Sequence, residues 1–453
     1  MAAPKRRKPD RPRRLAFDVL RAVHTDGAYA NLALAGLLSA RGLTGRDAAF
    51  ATELVSGTCR WQGSYDEIVA AAAGRSLTSF QPAVLDLLRL GTHQVLAMRV
   101  PVHAAVGAMV DLAAATVGER VTGITNAVLR RVAARDLDDW LDLLATGREP
   151  RDALALRTSH PRWVVDAFAD VLPEDQLEPA LAADNDNPDI TLAVRPGLAE
   201  VGQLVDAGAV ATSLSPFAAR WSGPPAELAA VRDGRVGVQD EGSQLVAWGL
   251  TRPQAPAGPW LDLCAGPGGK TALLAGLAAA AGSGVVAVEP SAHRAGLVAA
   301  SVRAYPADVR PTVLQADGTR PAWRPGTFAR VLVDAPCSGL GALRRRPESR
   351  WRRSAEDVEQ LHELQTRLLT SALAAASPGG LVGYVTCSPH CRETVDVVEG
   401  VLAGRTDVEV VPAADVLPEV ADAEPGPYLQ LWPHRHGTDA MFVAYLRVLG
   451  FRS

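Results

Sequence analysis

Leu261-Asp262-Leu263-Cys264-Ala265-Gly266-Pro267-Gly268-Gly269-Lys270-Thr271 is the stretch whose reading settles the fold class. A short apolar strand, Trp260 to Leu263, runs into a glycine turn, and Gly269 to Ala281 continues as a helix. Glycines let a backbone approach a ligand closely, and a helix N-terminus presents unpaired N–H groups to it. The same grammar repeats downstream. Val285 to Val288 predicts a strand and Ala292 to Ala304 a helix, while Val313 to Gln315, Val331 to Val333 and Leu381 to Val385 predict further strands. A long helix, Ala355 to Ala376, separates the last two, and Val408 to Val411 and Met441 to Val448 would close the sheet. Strands alternating with helices imply an α/β domain, a parallel sheet with helices on both faces.

Acidic residues sit where such a sheet binds ligands. Glu289 ends the second strand, roughly twenty residues past the glycine turn, where a carboxylate can accept both hydroxyls of a ribose. Asp317 follows the third strand and Asp334 ends the fourth. A lone glycine turn is often only a turn, but combined with these acids it points to a nucleoside cofactor. A phosphate loop fits poorly, because its pattern needs glycine at position 264, which is Cys264.

Two cysteines fall at strand ends in the same predicted sheet, in Val333-Asp334-Ala335-Pro336-Cys337-Ser338-Gly339 and in Tyr384-Val385-Thr386-Cys387-Ser388. Carbon 5 of cytosine is a poor nucleophile. A thiolate adding to carbon 6 gives carbon 5 enamine character, so that it can attack a sulfonium methyl. That chemistry needs a thiolate, a carboxyl able to protonate ring nitrogen 3, and a group for the later elimination. Cys387, Cys337 and Asp334 supply these types, and spacing alone leaves either cysteine as the nucleophile. A helix starting near Cys391, and neighbouring arginines, would help to ionise the Cys387 thiol. Cys59 reads as a core residue and Cys264 as an unreactive part of the cofactor loop. Cys387, Cys391 and His390 lack a second ligand pair at workable spacing, so no metal is expected.

The 453 residues exceed one ordinary domain, and 48% of them are apolar. From Arg14 to about Arg135 the apolar residues keep a helical period, as in Leu15, Val19, Leu20 and Val23. The expected division is a helical domain over 1–145, with 1–13 as a basic arm, a small α+β connecting region over 146–235, and the α/β domain over 236–453. A net charge of -4 says little about nucleic acid, which is bound by local basic faces. Arg344, Arg345, Arg346, Arg350, Arg352 and Arg353 form such a cluster, with Trp351 among them, and are candidates to grip phosphates. Five cysteines without a disulfide framework, no signal-peptide pattern and no membrane-length apolar run predict a soluble, cytoplasmic protein, and a monomer is expected although no feature of the sequence gives the oligomeric state.

Taken together, Asp262 to Thr271, Asp334-Ala335-Pro336-Cys337-Ser338-Gly339 and Thr386-Cys387-Ser388 resemble the RsmB (Sun/Fmu) family of ribosomal RNA cytosine-C5 methyltransferases. Val238-Gln239-Asp240-Glu241-Gly242-Ser243-Gln244 resembles the segment that opens that family's catalytic domain. Gly437-Thr438-Asp439-Ala440-Met441-Phe442 resembles its closing motif, with Ala440 and Met441 departing from the usual Gly-Phe. Asn126-Ala127-Val128-Leu129-Arg130 is similar to a helix of the NusB-type RNA-binding domain that bacterial members carry. The resemblance implies a Rossmann-like, seven-stranded class I methyltransferase domain preceded by an all-α NusB-like domain. It also implies S-adenosylmethionine bound by Cys264, Ala265, Gly266, Pro267, Gly268, Gly269, Lys270, Glu289, Asp317 and Asp334. Cys387 would then be the nucleophile and Cys337 would assist product release. The implied substrate is small-subunit ribosomal RNA, alone or in an assembling 30S particle. Transfer RNA or another ribosomal cytosine is the alternative target, and a non-catalytic RNA-binding or antitermination factor is the alternative class.

Overall fold

The computed structural model describes residues 10–422 and 426–450. The chain forms two compact units. The first holds the N-terminal residues up to Asp186 together with a detached piece, Leu343–Arg352, and the second holds Asn187–Ala342 and the chain from Arg353 on.

The first unit is entirely helical. Amphipathic helices, among them Arg11–Thr25, Gly45–Arg60, Gln62–Ala73, Pro82–Leu96, Val102–Thr116 and Thr122–Val132, bury one shared core. Leu15, Leu20, Leu54, Ile68, Leu87, Leu88, Met109 and Leu129 lie at its centre, and Cys59 is buried with them as expected. Lys5 to Lys8 of the expected basic arm lie outside the described residues. Its continuation is ordered: Asp10 accepts the N–H of Arg13 and caps the first helix, and Arg14 pairs with Asp18 one turn on. The unit is larger than 1–145, because helices Pro150–Thr158, Arg162–Ala169 and Glu174–Ala183 belong to it.

The detached piece alters the reading of the arginine cluster. Arg350 is fully buried, and its guanidinium donates to the carbonyl of Ser159 at 3.0 Å, the side chain of Asn185 at 2.9 Å and the carbonyl of Asp184 at 3.3 Å. Ser159 and Asp184 are the C-caps of Pro150–Thr158 and Glu174–Ala183, so one cation satisfies carbonyls at two helix C-termini. Arg352 does the same for the first helix, donating to the carbonyls of Val23, Gly27 and Ala28. Trp351 packs onto Gly63, where a Cβ would lie 2.1 Å from its ring. The expected phosphate role is therefore corrected for Arg350 and the buried Arg344, which are enclosed by protein, while Arg352 is partly exposed with its guanidinium engaged by the carbonyls of Val23, Gly27 and Ala28. Arg346 remains exposed, and Arg345 and Arg353 remain partly so. Replacing Arg350 with Met should leave these carbonyls unpaired and cost about 3 kcal/mol. A calorimetric melting temperature lower by roughly 6–12 °C is the expected result, and an unchanged one would return Arg350 to the surface cluster.

The second unit opens with a small antiparallel sheet of β1 (Ile190–Val194), β2 (Val210–Ala211), β3 (Ala218–Trp221) and β4 (Val236–Val238), in the order β2-β3-β1-β4. The expected connecting region is thus divided, its helices going to the first unit and its strands to the second. The main sheet holds β5 (Trp260–Asp262), β6 (Val285–Val288), β7 (Thr312–Leu314), β8 (Phe328–Asp334), β9 (Ala376–Thr386), β10 (Val408–Val411), β11 (Leu429–Gln430) and β12 (Phe442–Val448). Its order is β10-β12-β9-β8-β5-β6-β7, with the two-residue β11 added against β12. From β7 through β9 all pairs are parallel, while β12 runs antiparallel to both β9 and β10.

Both faces of the sheet are covered. Leu332 faces a layer containing Leu245, Leu273 and Leu274, and its neighbours Val331 and Val333 face Leu368, Leu369 and Leu373 on the opposite side. The chain leaves β5 toward β6 and β7, then returns to place β8 on the other flank of β5. That reversal makes a crevice at the carboxyl ends of β5 and β8, where open α/β sheets bind ligands. Among the described residues, no helix is long and apolar enough to cross a membrane.

Candidate active site

Parallel pairing places the motif residues side by side. Asp262 stands opposite Leu332, and Asp334 opposite Val385, so the loops after β5, β8 and β9 leave one edge of the sheet together. The loop after β5 is packed tightly. Gly268 has φ +110°, and a Cβ there would lie 2.2 Å from the Ser301 hydroxyl. A Cβ on Gly266 would lie 2.3 Å from a carboxylate oxygen of Glu289. Position 268 requires glycine, both for its φ and for its contact with Ser301 and the Val298 backbone, while a side chain at 266 would displace Glu289 and Arg294. Gly269 then opens the helix Gly269–Ala280.

Lys270, in the first turn of that helix, is buried and reaches across to Asp334, Nζ to Oδ2 2.8 Å. Burial alone would lower the pKa of its ammonium, but the Asp334 carboxylate more than reverses this, and Cys387 is among the groups that add to the effect. Asp262 is fully buried. One oxygen accepts the Thr271 hydroxyl at 2.6 Å, and Oδ1 has no hydrogen-bond partner among the described residues. Burial, reinforced by Asp334, pushes this carboxyl up to about 7, against the opposing pull of Thr271. Glu289, also buried, accepts the N–H of Ser291 at 3.0 Å, with Arg294 3.5 Å from its other oxygen. Arg294 also donates to the carbonyl of Gly266 at 2.6 Å. Asp317 is exposed beyond the edge strand β7, where the N–H and hydroxyl of Thr319 hold its carboxyl below the usual range.

The two cysteines meet. Cys337 Sγ and Cys387 Sγ are 3.3 Å apart, a thiol–thiol contact between free cysteines. The hydrogen bond to Cys387, then burial, pushes the Cys337 thiol well up. Cys264 is raised by burial and by Asp262, Asp334 and Glu289, in keeping with an unreactive loop residue. The expected helix start near Cys391 is corrected: Cys391–Glu393 is a 3-10 turn, and the helix Val395–Leu402 begins beyond it. Lys270 is a positive group that interacts electrostatically with Cys387.

Asp262, Arg294, Ser338, Gln365 and Glu393 are parts of this region that sequence reasoning gave no role. Asp262 stood in the quoted motif, and its burial at a strand end was the available signal. Nothing local marks Gln365 or Glu393, which lie in a long helix and in a turn.

A doubly wound sheet with this strand order, a glycine loop after β5 and acids at successive strand ends defines a Rossmann-like methyltransferase unit. The comparisons agree. The model for the family described as 16S rRNA methyltransferase RsmB/F matches residues 251–447, and that for the NusB family matches residues 10–134. A "Putative methyltransferase" of Mycobacterium tuberculosis is 51% identical over 98% of this chain and 98% of its own length. Ribosomal RNA small subunit methyltransferase B of Pseudomonas putida is 34% identical over 86% of this chain and 89% of its own length. The crystal structure of PH0851 shares the fold, with a TM-score of 0.79 at 20% identity, covering 98% of this chain and 99% of that one. The chain belongs to the RsmB/F family of RNA methyltransferases and carries a NusB-type helical region.

Proposed function

We propose that this protein transfers a methyl group from S-adenosylmethionine to carbon 5 of a cytosine in small-subunit ribosomal RNA, with Cys387 as covalent nucleophile. The observation that carries the reading is the pair of free thiols 3.3 Å apart at the ends of β8 and β9, beside the Lys270–Asp334 ion pair. The glycine loop from Cys264 to Gly269 suits the cofactor, because it follows a parallel strand, opens a helix and packs its glycines against Glu289 and Ser301. Glu289 offers a buried carboxylate for a ribose, Asp262 an unpartnered buried oxygen, and Asp317 and Asp334 complete the set of acids. When bound, S-adenosylmethionine supplies an electrophilic methyl group.

The side chains divide the remaining work. Cys387 adds to carbon 6 as the thiolate, and Lys270 faces that sulfur with positive charge. The Asp334 carboxyl shuttles a proton, giving it to ring nitrogen 3 as the thiolate adds and taking it back as the adduct breaks down, and Lys270 pairs with its carboxylate form. After methylation carbon 5 gives its proton to solvent water, the C5–C6 double bond re-forms, and the bond from carbon 6 to sulfur breaks with its electron pair going to Cys387 as the thiolate. The departing sulfur then accepts the hydrogen bond of the Cys337 thiol, which stabilises it as a leaving group. A cytosine must leave its helix, or lie in a loop, for a thiol to reach carbon 6.

The test is methyl transfer from labelled S-adenosylmethionine to ribosomal RNA lacking its native modifications, followed by mapping of the label. Label on carbon 5 of one small-subunit cytosine is the expected result. Cofactor binding without label on either ribosomal RNA would redirect the assignment to transfer RNA. Absence of cofactor binding would favour a non-catalytic RNA-binding role.

A further inference from the structure

Glu393 is fully buried near the reacting thiols, yet it takes no part in the chemistry described above. One of its oxygens accepts the backbone N–H of Ser338 at 2.7 Å and the side-chain amide of Gln365 at 3.2 Å. The other accepts the Ser338 hydroxyl. Gln365 donates as well to the carbonyl of Pro336 at 2.8 Å. Pro336 and Ser338 are the two neighbours of Cys337, so this one carboxylate grips the chain on both sides of that thiol. It does so from the turn that follows Cys387, and the Tyr384 hydroxyl of β9 anchors that turn by donating to the Glu393 carbonyl at 2.8 Å. The Ser338 and Ser388 hydroxyls, 3.2 Å apart, and the Gly341 N–H on the Cys387 carbonyl at 2.9 Å add further links between the two loops. A carboxylate taken out of water is tolerated only with its lone pairs satisfied, and here the donors that satisfy it belong to the loop that must be placed.

We propose that Glu393 is a positioning residue for the release step, holding the Cys337 thiol within hydrogen-bond reach of the Cys387 sulfur through Ser338 and Gln365. The inference rests on the reading of Cys387 as nucleophile and Cys337 as the release group. Loss of the carboxylate leaves addition and methyl transfer intact but lets the Cys337 loop drift, so the finished product stays bound to Cys387.

The experiment compares wild type, Cys337→Ala, Glu393→Ala, Glu393→Gln and Ser338→Ala in the full chain, with the same RNA and labelled S-adenosylmethionine. It reads single-turnover methyl transfer, steady-state kcat, cofactor KM and protein–RNA adduct on a denaturing gel. Glu393→Ala is expected to lose about tenfold or more in kcat and to accumulate adduct, with cofactor KM and single-turnover transfer changed by no more than about twofold. Glu393→Gln keeps an acceptor for the Ser338 N–H and should recover most of the lost turnover, a rescue that loss of general stability would not predict. Wild-type kcat in a folded Glu393→Ala, loss of single-turnover transfer without adduct, or failure of Gln to rescue would each overturn the proposal. If Glu393→Ala does not fold, Ser338→Ala decides: a smaller loss of kcat with adduct supports the proposal, and wild-type kinetics overturns it. If Cys337→Ala traps no adduct, the release reading fails and the proposal falls with it. If Cys337→Ala traps adduct while Glu393→Ala turns over like wild type, only the role of Glu393 fails.

Discussion

Replacing Cys387 with Ser is expected to reduce methyl transfer on the order of 10⁴-fold or more, the usual scale for removing a covalent nucleophile. The fold should tolerate the change. Cys387 is half-buried at the end of β9, and serine is slightly smaller and equally able to hydrogen-bond to Cys337. What is lost is ionisation. A thiol yields a useful thiolate near neutral pH, whereas a serine hydroxyl needs a strong general base to attack at all. Asp334 cannot serve as that base while it acts at ring nitrogen 3 and pairs with Lys270 at 2.8 Å. Cofactor binding should be unchanged in equilibrium dialysis, because the glycine loop, Glu289 and Asp317 are untouched. Persistent turnover in Cys387→Ser, with activity lost in Cys337→Ser instead, would exchange the roles of the two cysteines.

Replacing Cys337 with Ala should produce the opposite phenotype, a protein that reacts once and stays attached to its RNA. In the structure the contact with Cys387, and burial, push the Cys337 thiol well up, which favours its protonated form. A protonated thiol cannot begin the reaction, but it is well suited to receive the sulfur that leaves at the end. Alanine removes that donor while keeping the backbone that Glu393 and Gln365 hold. Addition and methylation then proceed, and elimination slows by roughly 10²–10³-fold, the scale for losing one well-aimed donor to a developing negative charge. The readout is a band of retarded protein on a denaturing gel, formed only with both RNA and cofactor present and sensitive to ribonuclease. Normal turnover without that band would remove Cys337 from the mechanism.

These two outcomes also show how much could be read from residue order. The alternation of short apolar strands with helices is a local property, set by side-chain period and by glycine, so the strands from Trp260 to Val448 were legible one at a time. The acids were legible because a charged residue ending an apolar strand has few other reasons to be there. Both cysteines were recognised as strand-end residues, but that their thiols lie 3.3 Å apart could not be read from residue order. They are 50 positions apart in the chain, and only the parallel pairing of β8 with β9 brings them together.

The arginine cluster shows the limit most plainly. A run of charge reads as a solvated or RNA-facing surface, because an isolated cation is costly to bury. That cost is offset only where carbonyls converge, and the carbonyls that receive Arg350 end helices lying 191 and 166 positions away. The sequence by itself determined the elements, the glycine loop and the chemical types present at the strand ends, because each of these follows from neighbours along the chain. The tertiary structure alone decided that Leu343–Arg352 belongs to the helical unit, that the Cys337 and Cys387 thiols touch, and that Glu393 hydrogen-bonds to the loop after β8. Each of those depends on buried polar groups finding partners far away in sequence, and a buried charge is stable only where such partners meet.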